Sequence, residues 1–541
     1  MSRPTFALRA DHVSLTRGDQ PVLRDVDLTV SAATRLAVVG ANGVGKSTLL
    51  QTLAGLVEPD HGSVWREPGD LLVGLLDQEL PRADVTVVRH LADATGVGAA
   101  QVAFDRATAA VAGGEPGAAD GYEHAFDAWM AVGAADFDAR VAATLDHLGL
   151  PPRIAEQTTR SLSGGEAARV GLAALLLSRF DVTLLDEPTN NLDLAGLAVL
   201  EQWIDEHSGG LVVVSHDRRF LEQTVSSVLE IHEHHHTATI FHGGWQSFLD
   251  ERASALARAQ AEHDRYVAER DRLRAAEQRQ REWITRGVSR AVSKPADGDK
   301  FRRNWQLDQT EQLAGRARAT RNAADRLEVV DKPWEGWDLR FTVATAPRSG
   351  TVVASFEDLV VRRGDFELGP IDDRIDWGER IHLAGPNGAG KSTLVAALLG
   401  DLDPVRGNAR LGPSVVPGLL GQQRDDLGPE SDTLVDAFPR RSGLDHTDSR
   451  SVLAKFGLDA TAVQRPLSTL SPGERTRALL ALFQAQGVNL LILDEPSNHL
   501  DLPALEQLEQ ALESYDGTLV LVSHDRALLT SMRITRTIEL G

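Results

Sequence analysis

The sequence predicts an α/β protein in which two copies of one parallel-sheet domain are joined by a long antiparallel α-helical hairpin. Four motifs occur twice in the same order along the 541 residues. Apolar runs that suit buried strands alternate with helical segments in each copy. The residues between the copies lack such runs. We expect the first domain to span residues 1–244, the hairpin 245–330, a connector 331–352 and the second domain 353–541.

Each copy carries a glycine-rich Gly-Lys-Ser loop, a Leu-Ser-x-Gly-Glu segment, an apolar strand ending in Asp-Glu-Pro, and a Val-Ser-His-Asp segment. The last three motifs recur at one constant separation, whereas the glycine-rich loops lie farther apart. The first copy therefore holds extra residues. We place them within 80–158, a stretch rich in alanine, glycine and aspartate that predicts a small helical insert.

The glycine-rich loops, 40–47 and 385–392, each follow an apolar run and precede a helix start. Glycines let backbone N–H groups converge on phosphate oxygens, and the next helix adds its positive end. The lysine then reaches the β- and γ-phosphates, and the serine ligates Mg²⁺. The sequence thus predicts two sites for ATP and Mg²⁺. The expected phosphate-binding residues are Gly40, Asn42, Gly43, Gly45, Lys46, Ser47, Thr48, Gly385, Asn387, Gly388, Gly390, Lys391, Ser392 and Thr393.

Two carboxylates follow each other where a buried strand ends, Asp186-Glu187 in the first copy and Asp494-Glu495 in the second. We expect the aspartates, with Ser47 and Ser392, to hold Mg²⁺. The glutamates can polarise the attacking water as general bases. The competing interpretation is a pair of acids that merely ends a strand. Because both copies keep both acids beside a phosphate loop, we expect two hydrolytic centres.

His216 and His524 follow strands in the two Val-Ser-His-Asp segments, and a neutral imidazole there could hydrogen-bond the γ-phosphate. A single histidine after a strand is more often structural, but the repeat favours a function. Gln78 and Gln422 each follow a Gly-Leu-Leu run and could sense Mg²⁺ and the attacking water. We count these four among the catalytic residues.

Together these motifs resemble those of the ATP-binding cassette ATPases over nearly the whole chain. In that family two cassettes close head to tail, with ATP between the phosphate loop of one and the Leu-Ser-Gly-Gly motif of the other. The resemblance therefore implies one site from Lys46 with Ser471 and another from Lys391 with Ser163. Pro472 replaces a glycine of the second motif and removes a backbone donor. The motif residues implied in binding are Ser163, Gly164, Gly165, Ser471 and Gly473.

The segments Glu-Pro-Thr-Asn-Asn-Leu-Asp and Glu-Pro-Ser-Asn-His-Leu-Asp, with two cassettes and a charged helical linker in one chain, resemble the ABC-F class. Members bind the ribosomal E site, and their linker reaches toward the P-site tRNA and the peptidyl-transferase centre. Some regulate translation and others protect ribosomes from antibiotics. Arg17 and Arg363 fall where that family usually stacks an aromatic residue on adenine.

The linker is predicted to form two helices, about 246–287 and 300–328, with a basic tip at 286–303. The chain has a net charge of −22, which argues against nucleic-acid binding, but the tip opposes two aspartates with six basic residues. Arginine beside aromatic residues suits unpaired RNA, although a solvated helix tip is the simpler interpretation. The expected RNA contacts are Arg286, Arg290, Lys294, Lys300, Arg302 and Arg303.

The leading hypothesis is an ATPase that acts on the ribosome, through rRNA and P-site tRNA, in antibiotic protection or translation regulation. One alternative is an ATPase subunit that energises a separate membrane exporter, although such cassettes are normally joined by short linkers. Another is a DNA-associated cassette ATPase. No apolar stretch is long enough to span a membrane, no secretory signal is visible, and cysteine is absent, which excludes iron–sulfur and cysteine-zinc twin-cassette ATPases. We expect a cytoplasmic monomer whose own two cassettes pair.

Overall fold

The computed structural model describes residues 6–18, 20–76, 83–190, 192–232, 235–292, 350–364, 366–421, 427–500, 502–513 and 515–541. The chain forms two compact units. One contains both copies of the repeat, Met1–Gln246 with Trp337–Gly541, and the other is Ser247–Gly336.

The first copy contains an antiparallel sheet of order β2-β1-β4 and a mostly parallel sheet of order β5-β6-β7-β3-β8-β9. Its strands are β1 (Ala7–Arg17), β2 (Gln20–Val30), β3 (Arg35–Val39), β4 (His61–Glu67), β5 (Val73–Leu76), β6 (Val182–Asp186), β7 (Gly210–Val214), β8 (Ser227–Ile231) and β9 (Ala238–His242). Its helices are α1 (Lys46–Ala54), α2 (Val87–Ala94), α3 (Val97–Ala112), α4 (Ala118–Ala131), α5 (Phe137–His147), α6 (Gly164–Leu177), α7 (Leu194–Glu206) and α8 (Arg218–Thr224).

The second copy repeats this plan, with an antiparallel sheet of order β11-β10-β13 and a parallel sheet of order β14-β15-β16-β12-β17. Its strands are β10 (Val352–Arg363), β11 (Phe366–Asp376), β12 (Arg380–Ala384), β13 (Arg406–Leu411), β14 (Pro417–Leu420), β15 (Leu490–Asp494), β16 (Thr518–Val522) and β17 (Arg536–Glu539). Its helices are α10 (Lys391–Leu399), α11 (Leu434–Ser442), α12 (His446–Lys455), α13 (Pro472–Gln486), α14 (Leu502–Glu513) and α15 (Arg526–Ser531).

The parallel sheets bring the functional motifs together. Strands β6, β7 and β3 are neighbours and run parallel, so their carboxyl ends lie at one edge of the sheet. The phosphate loop leaves β3, the Asp-Glu pair ends β6, and the histidine follows β7. Helix α1 is anchored in the core by Leu49, Leu50 and Leu53, which are fully buried. The loop is therefore held between a central strand and a buried helix.

The described residues of the segment 80–158, which begin at 83, contain four α-helices, α2 to α5. Helices α2 and α5 occupy the places of α11 and α12 in the second copy, so α3 and α4 are the elements that the first copy adds. The two pack through aromatic rings, with the Phe104 ring 5.1 Å from that of Trp129 and 5.4 Å from that of Tyr122, centroid to centroid.

The described residues of the second unit, 247–292, all belong to helix α9 (Gly244–Val292, 49 residues). The sequence predicted that this helix would end near 287, and that prediction was wrong: Arg286 and Arg290 both lie within α9. Gly287 disfavours a helix by about 1 kcal/mol, and a single glycine does not end it. The four other basic residues of the tip and the predicted second helix lie outside the described residues. In the described part of the chain, no helix combines the length and apolar character needed to cross a bilayer.

Candidate active site

Both phosphate loops depend on glycine. Gly40 and Gly385 have a φ of 150°, which side chains other than glycine rarely adopt. A Cβ on Gly385 would lie 2.3 Å from the carbonyl oxygen of Leu540, and one on Gly40 would lie 2.8 Å from that of Ile231. The loop backbone thus packs directly on the neighbouring strand end. From there it turns into α1 or α10, whose first N–H groups are free of partners within the helix.

The two loop lysines are held in the same way. Lys46 and Lys391 are 7% and 8% exposed. The Lys46 Nζ donates to the Gly40 carbonyl at 2.8 Å, and the Lys391 Nζ donates to the Gly385 carbonyl at 2.7 Å. Burial lowers the pKa of Lys391, although neighbouring carboxylates oppose this effect. Each ammonium is therefore fixed over its own loop, where phosphate oxygens would lie.

Glu187 and Glu495 share an unusual backbone conformation, with φ of 49° and 48°. Non-glycine residues in this region are strained, and such strain is often found at functional sites. The backbone N–H of each glutamate donates to the neighbouring strand, to Val214 at 2.8 Å and to Val522 at 2.9 Å. Burial raises the pKa of Glu187 to about 7 and that of Glu495 to about 8. A carboxyl group in this range suits proton transfer near neutral pH.

Each histidine lies beside its glutamate. His216 Nε2 is 3.0 Å from Glu187 Oε1, and His524 Nε2 is 3.6 Å from Glu495 Oε1. Lys391 Nζ also lies 3.2 Å from His524 Nε2. Burial lowers the pKa of His216 to about 3 and that of His524 to about 4. Both imidazoles are therefore neutral at physiological pH and can accept or donate a hydrogen bond.

The residues expected to hold Mg²⁺ are adjacent in the second copy, where Ser392 Oγ donates to Asp494 Oδ2 at 2.9 Å. Burial raises the pKa of Asp494, while this hydrogen bond and Lys391 oppose the rise. In the first copy, Ser47 begins α1 beside Lys46 and Asp186 ends β6. A hydroxyl and a carboxylate are hard oxygen ligands, so the donor set fits Mg²⁺.

A cavity of about 370 Å³ lies between the two copies. The second copy lines it with its phosphate loop, Asp494, Glu495 and His524, and the first copy with 163–165. A Cβ on Gly165 would lie 3.0 Å from the Cβ of Asn387, so the two motifs are in close contact. The structure thus places Ser163 and Lys391 at one cavity, as the resemblance implied. The pairing of Lys46 with Ser471 stays a prediction.

Both Leu-Ser-x-Gly-Glu motifs begin a helix with a reciprocal cap. Ser163 Oγ accepts from the Glu166 backbone N–H, and the Ser163 N–H donates to Glu166 Oε2 at 2.9 Å. Ser471 and Glu474 form the same pair, with the Ser471 N–H donating at 2.8 Å. Pro472 is the first residue of α13, a position that tolerates proline. It keeps the helix start but offers no N–H there.

Asp193 reaches from the first copy to the phosphate loop of the second. It caps α7, with Oδ1 accepting from the Gly196 N–H at 2.9 Å, and its Oδ2 accepts from the Asn387 N–H at 3.3 Å. Burial raises the pKa of Asp193, but these two hydrogen bonds, together with His524 and Arg169, hold it below its usual value. A carboxylate of one copy is thus part of the site of the other.

Sequence reasoning missed Phe366. Arg363 lines the cavity as expected, but Phe366, its partner across the β10–β11 hairpin, lines it too. The Phe366 ring packs against the loop, where a Cβ on Gly390 would meet its Cε1 at 3.0 Å. In the first copy Gln20 pairs with Arg17 at the matching register, and Arg17 Nη2 lies 3.5 Å from Gln51 Oε1. The signal that could have identified Phe366 is its place in the sequence, as an aromatic residue three positions after Arg363.

Gln78 and Gln422 lie outside the described residues.

Comparisons with known proteins agree with this arrangement. The profile of the family described as "ABC transporter" matches residues 23–190 and 368–498. The chain is 35% identical to the tylosin resistance ATP-binding protein TlrC of Streptomyces fradiae, over 97% of this chain and 96% of that protein. It is 31% identical to the energy-dependent translational throttle protein EttA of Mycobacterium tuberculosis, over 97% of this chain and 89% of that protein.

Among solved structures, the fold is similar to that of the RNase-L inhibitor, with a TM-score of 0.57 at 18% identity, covering 98% of this chain and 88% of that one. The family profile matches both cassettes, the relatives above 30% identity align over nearly their whole length, and the cavity is built from both copies. The chain belongs to the ABC-F class of the ATP-binding cassette family, and it is an ATPase that binds and hydrolyses ATP.

Proposed function

We propose that this ATPase acts on the ribosome and that ATP binding and hydrolysis switch it between a bound and a released state. The observation that carries the proposal is the likeness to TlrC and EttA over nearly all of both chains. One of these relatives is named for tylosin resistance and the other for translational throttling. One name thus points to translation and the other to drug resistance, the two roles that the resemblance to the ABC-F class implies.

In the proposed reaction, the phosphate loops and their lysines bind the triphosphate, and Ser163 and its neighbours close over it from the opposite cassette. Ser392 with Asp494, and Ser47 with Asp186, would hold Mg²⁺. The ion supplies positive charge against the phosphate oxygens. Backbone donors of 164–165 and 473 add to this stabilisation.

Glu495 and Glu187 orient the attacking water and accept its proton, a role that their raised pKa suits. His524 and His216, held neutral by burial, hydrogen-bond the γ-phosphate. We place Gln78 and Gln422 beside the same water. Because both cassettes keep their glutamate and histidine, we propose that both sites hydrolyse ATP.

Base recognition is proposed to differ between the two sites. In the second site Phe366 and Arg363 both contact the adenine, with the Phe366 ring stacked on it. In the first site Arg17 faces the base, and its cross-strand partner is Gln20 rather than an aromatic residue. Stacking accepts any base, so we expect loose selectivity for adenine.

The charged linker is proposed to be the part that reaches the ribosome. Helix α9 has 49 residues, which at 1.5 Å per residue is about 70 Å. With the predicted second helix it would form a hairpin, bound at the E site and pointing toward the P-site tRNA. Its basic tip would contact rRNA. We place the protein in the cytoplasm as a monomer that protects ribosomes from antibiotics or regulates translation.

Co-sedimentation with ribosomes tests the proposal. A Glu187→Gln, Glu495→Gln double variant binds ATP but hydrolyses it slowly, so with ATP it should pellet with ribosomes. A matched Lys46→Ala, Lys391→Ala variant should stay in the supernatant, because it cannot hold the triphosphate. If the glutamine variant also stays in the supernatant, the proposal is wrong. Growth of a sensitive host across ribosome-targeting antibiotics then separates protection from regulation.

A further inference from the structure

Two arginine–glutamate pairs join the cassettes away from the phosphate loops. Arg218 Nη1 lies 3.0 Å from Glu509 Oε2, and Arg526 Nη1 lies 3.4 Å from Glu201 Oε1. Arg218 and Arg526 are equivalent positions of the repeat, each directly after a Ser-His-Asp motif, and the two glutamates are equivalent as well. The contacts are therefore one interaction made twice, with the partners exchanged between the halves.

The Arg526–Glu201 pair is connected to the second active site at both ends. Arg526 begins α15 two residues after His524, and Glu201 lies on α7. The N-cap of α7 is Asp193, whose carboxylate contacts the Asn387 backbone in the second phosphate loop. Eight residues separate Asp193 from Glu201, about 12 Å along the helix. Helix α7 is thus held to the second cassette at two points, the phosphate loop and the helix that follows the histidine.

Both pairs are partly buried and are therefore more than surface contacts. The side chains of Arg218 and Glu509 are 22% and 15% exposed, and those of Arg526 and Glu201 are 27% and 22% exposed. Helices α8 and α15 pack against each other, and their capping aspartates, Asp217 and Asp525, lie close enough to repel. Arg526 attracts Asp217, and Arg218 attracts Asp525.

The two guanidinium groups therefore lie among four carboxylates where the halves meet, and each attracts one glutamate and one capping aspartate. Pulling the halves apart would leave these partly buried charges unpaired, which is costly. The pairs thus favour the closed arrangement, and they do so through the helices that directly follow the histidines.

We propose that Arg526–Glu201 and Arg218–Glu509 are positioning pairs, which set His524 and His216 in place only when the opposite cassette has closed. The same docking that brings Ser163 to the second site then aligns the histidine of that site. Because the two pairs share one interface, closure at one site supports the geometry of the other. None of these four residues has to touch nucleotide for this role.

The test is steady-state ATP hydrolysis by the full chain without ribosomes, so that its outcome is independent of the ribosome proposal. Glu201→Gln and Arg526→Gln should each lower kcat about tenfold, or about 1.4 kcal/mol. The KM for ATP should change by less than about twofold, since the phosphate loop is intact. Exchanging the charges, with Glu201→Arg and Arg526→Glu together, should restore most of kcat.

Two exposed neighbours serve as matched controls, Glu206→Gln on α7 and Arg219→Gln beside Arg218. Both should keep the kcat of the unmodified chain. The proposal is overturned if Glu201→Gln keeps its kcat, or if the charge exchange is no more active than the single variants while it melts at the normal temperature. Should Glu201→Gln fail to fold, the same comparison is made at the other pair. Glu509→Gln is then the single variant, and Arg218→Glu together with Glu509→Arg is the charge exchange.

Discussion

Removing the Phe366 ring should weaken one nucleotide site and leave the other unchanged. The ring is 39% exposed, and one of its edges packs against Gly390 of the phosphate loop. It is therefore already held in place and offers its remaining surface to the cavity. Stacking a base on an aromatic side chain contributes about 1–3 kcal/mol. Because this ring is only partly free, we expect the lower part of that range, about 1.4 kcal/mol, or a tenfold rise in Kd.

Titration with a fluorescent ATP analogue, in the Glu187→Gln, Glu495→Gln background, measures the effect. Phe366→Ala should split the titration into one class of unchanged affinity and one about tenfold weaker. Phe366→Tyr should bind as before, since a tyrosine ring also stacks. Gln20→Ala, at the matching register of the first cassette, is the control and should change neither class.

Two results would contradict stacking by Phe366. If Phe366→Ala changes Kd by less than about twofold at both sites, the ring does not stack on the base. If both sites weaken equally, the effect comes from a general change in the fold rather than from stacking at the second site. The same titration with GTP should show a similar loss, because stacking hardly distinguishes bases.

Three further outcomes are expected. Gly385→Ala should lower the melting temperature of its cassette by roughly 6–12 °C, because its Cβ would lie 2.3 Å from the Leu540 oxygen. Gly388→Ala should lower it by roughly 2–4 °C, because its Cβ would meet no atom within 4 Å. Calorimetry distinguishes the two, and equal shifts would contradict the packing argument. Replacing both Glu187 and Glu495 by glutamine should slow phosphate release roughly 10²–10⁴-fold with ATP binding retained; a loss below tenfold would speak against a general base. Chelation by EDTA should stop phosphate release and added Mg²⁺ should restore it, whereas activity that survives EDTA would exclude a required metal.

Much of the nucleotide chemistry is visible in the sequence because each motif is local. The phosphate loop needs glycine where φ is positive, and Gly40 and Gly385 stand at those positions. The strand before each Asp-Glu pair is a continuous apolar run, as a parallel strand buried on both faces requires. The repeat adds further weight, since a chance pattern would not recur in the same order. The α/β fold and ATP binding follow from these features.

Local patterns were less informative where a boundary or a position depends on the surroundings. The predicted end of the linker helix was wrong, since one glycine at 287 is by itself a weak signal for the end of a helix. The stacking residue was expected at Arg363, because the spacing of a motif does not show which residue of a hairpin faces a cavity. The structure adds Phe366, its cross-strand partner.

The two nucleotide-binding halves can be predicted from the sequence alone, because glycines, apolar strands and helix caps act over a few neighbouring residues. The contacts between the halves became visible only in the folded structure. Asp193 meets Asn387, and Arg218 meets Glu509, across hundreds of residues of chain. Such contacts depend on how two folded surfaces dock, and no short-range pattern of side chains records that geometry.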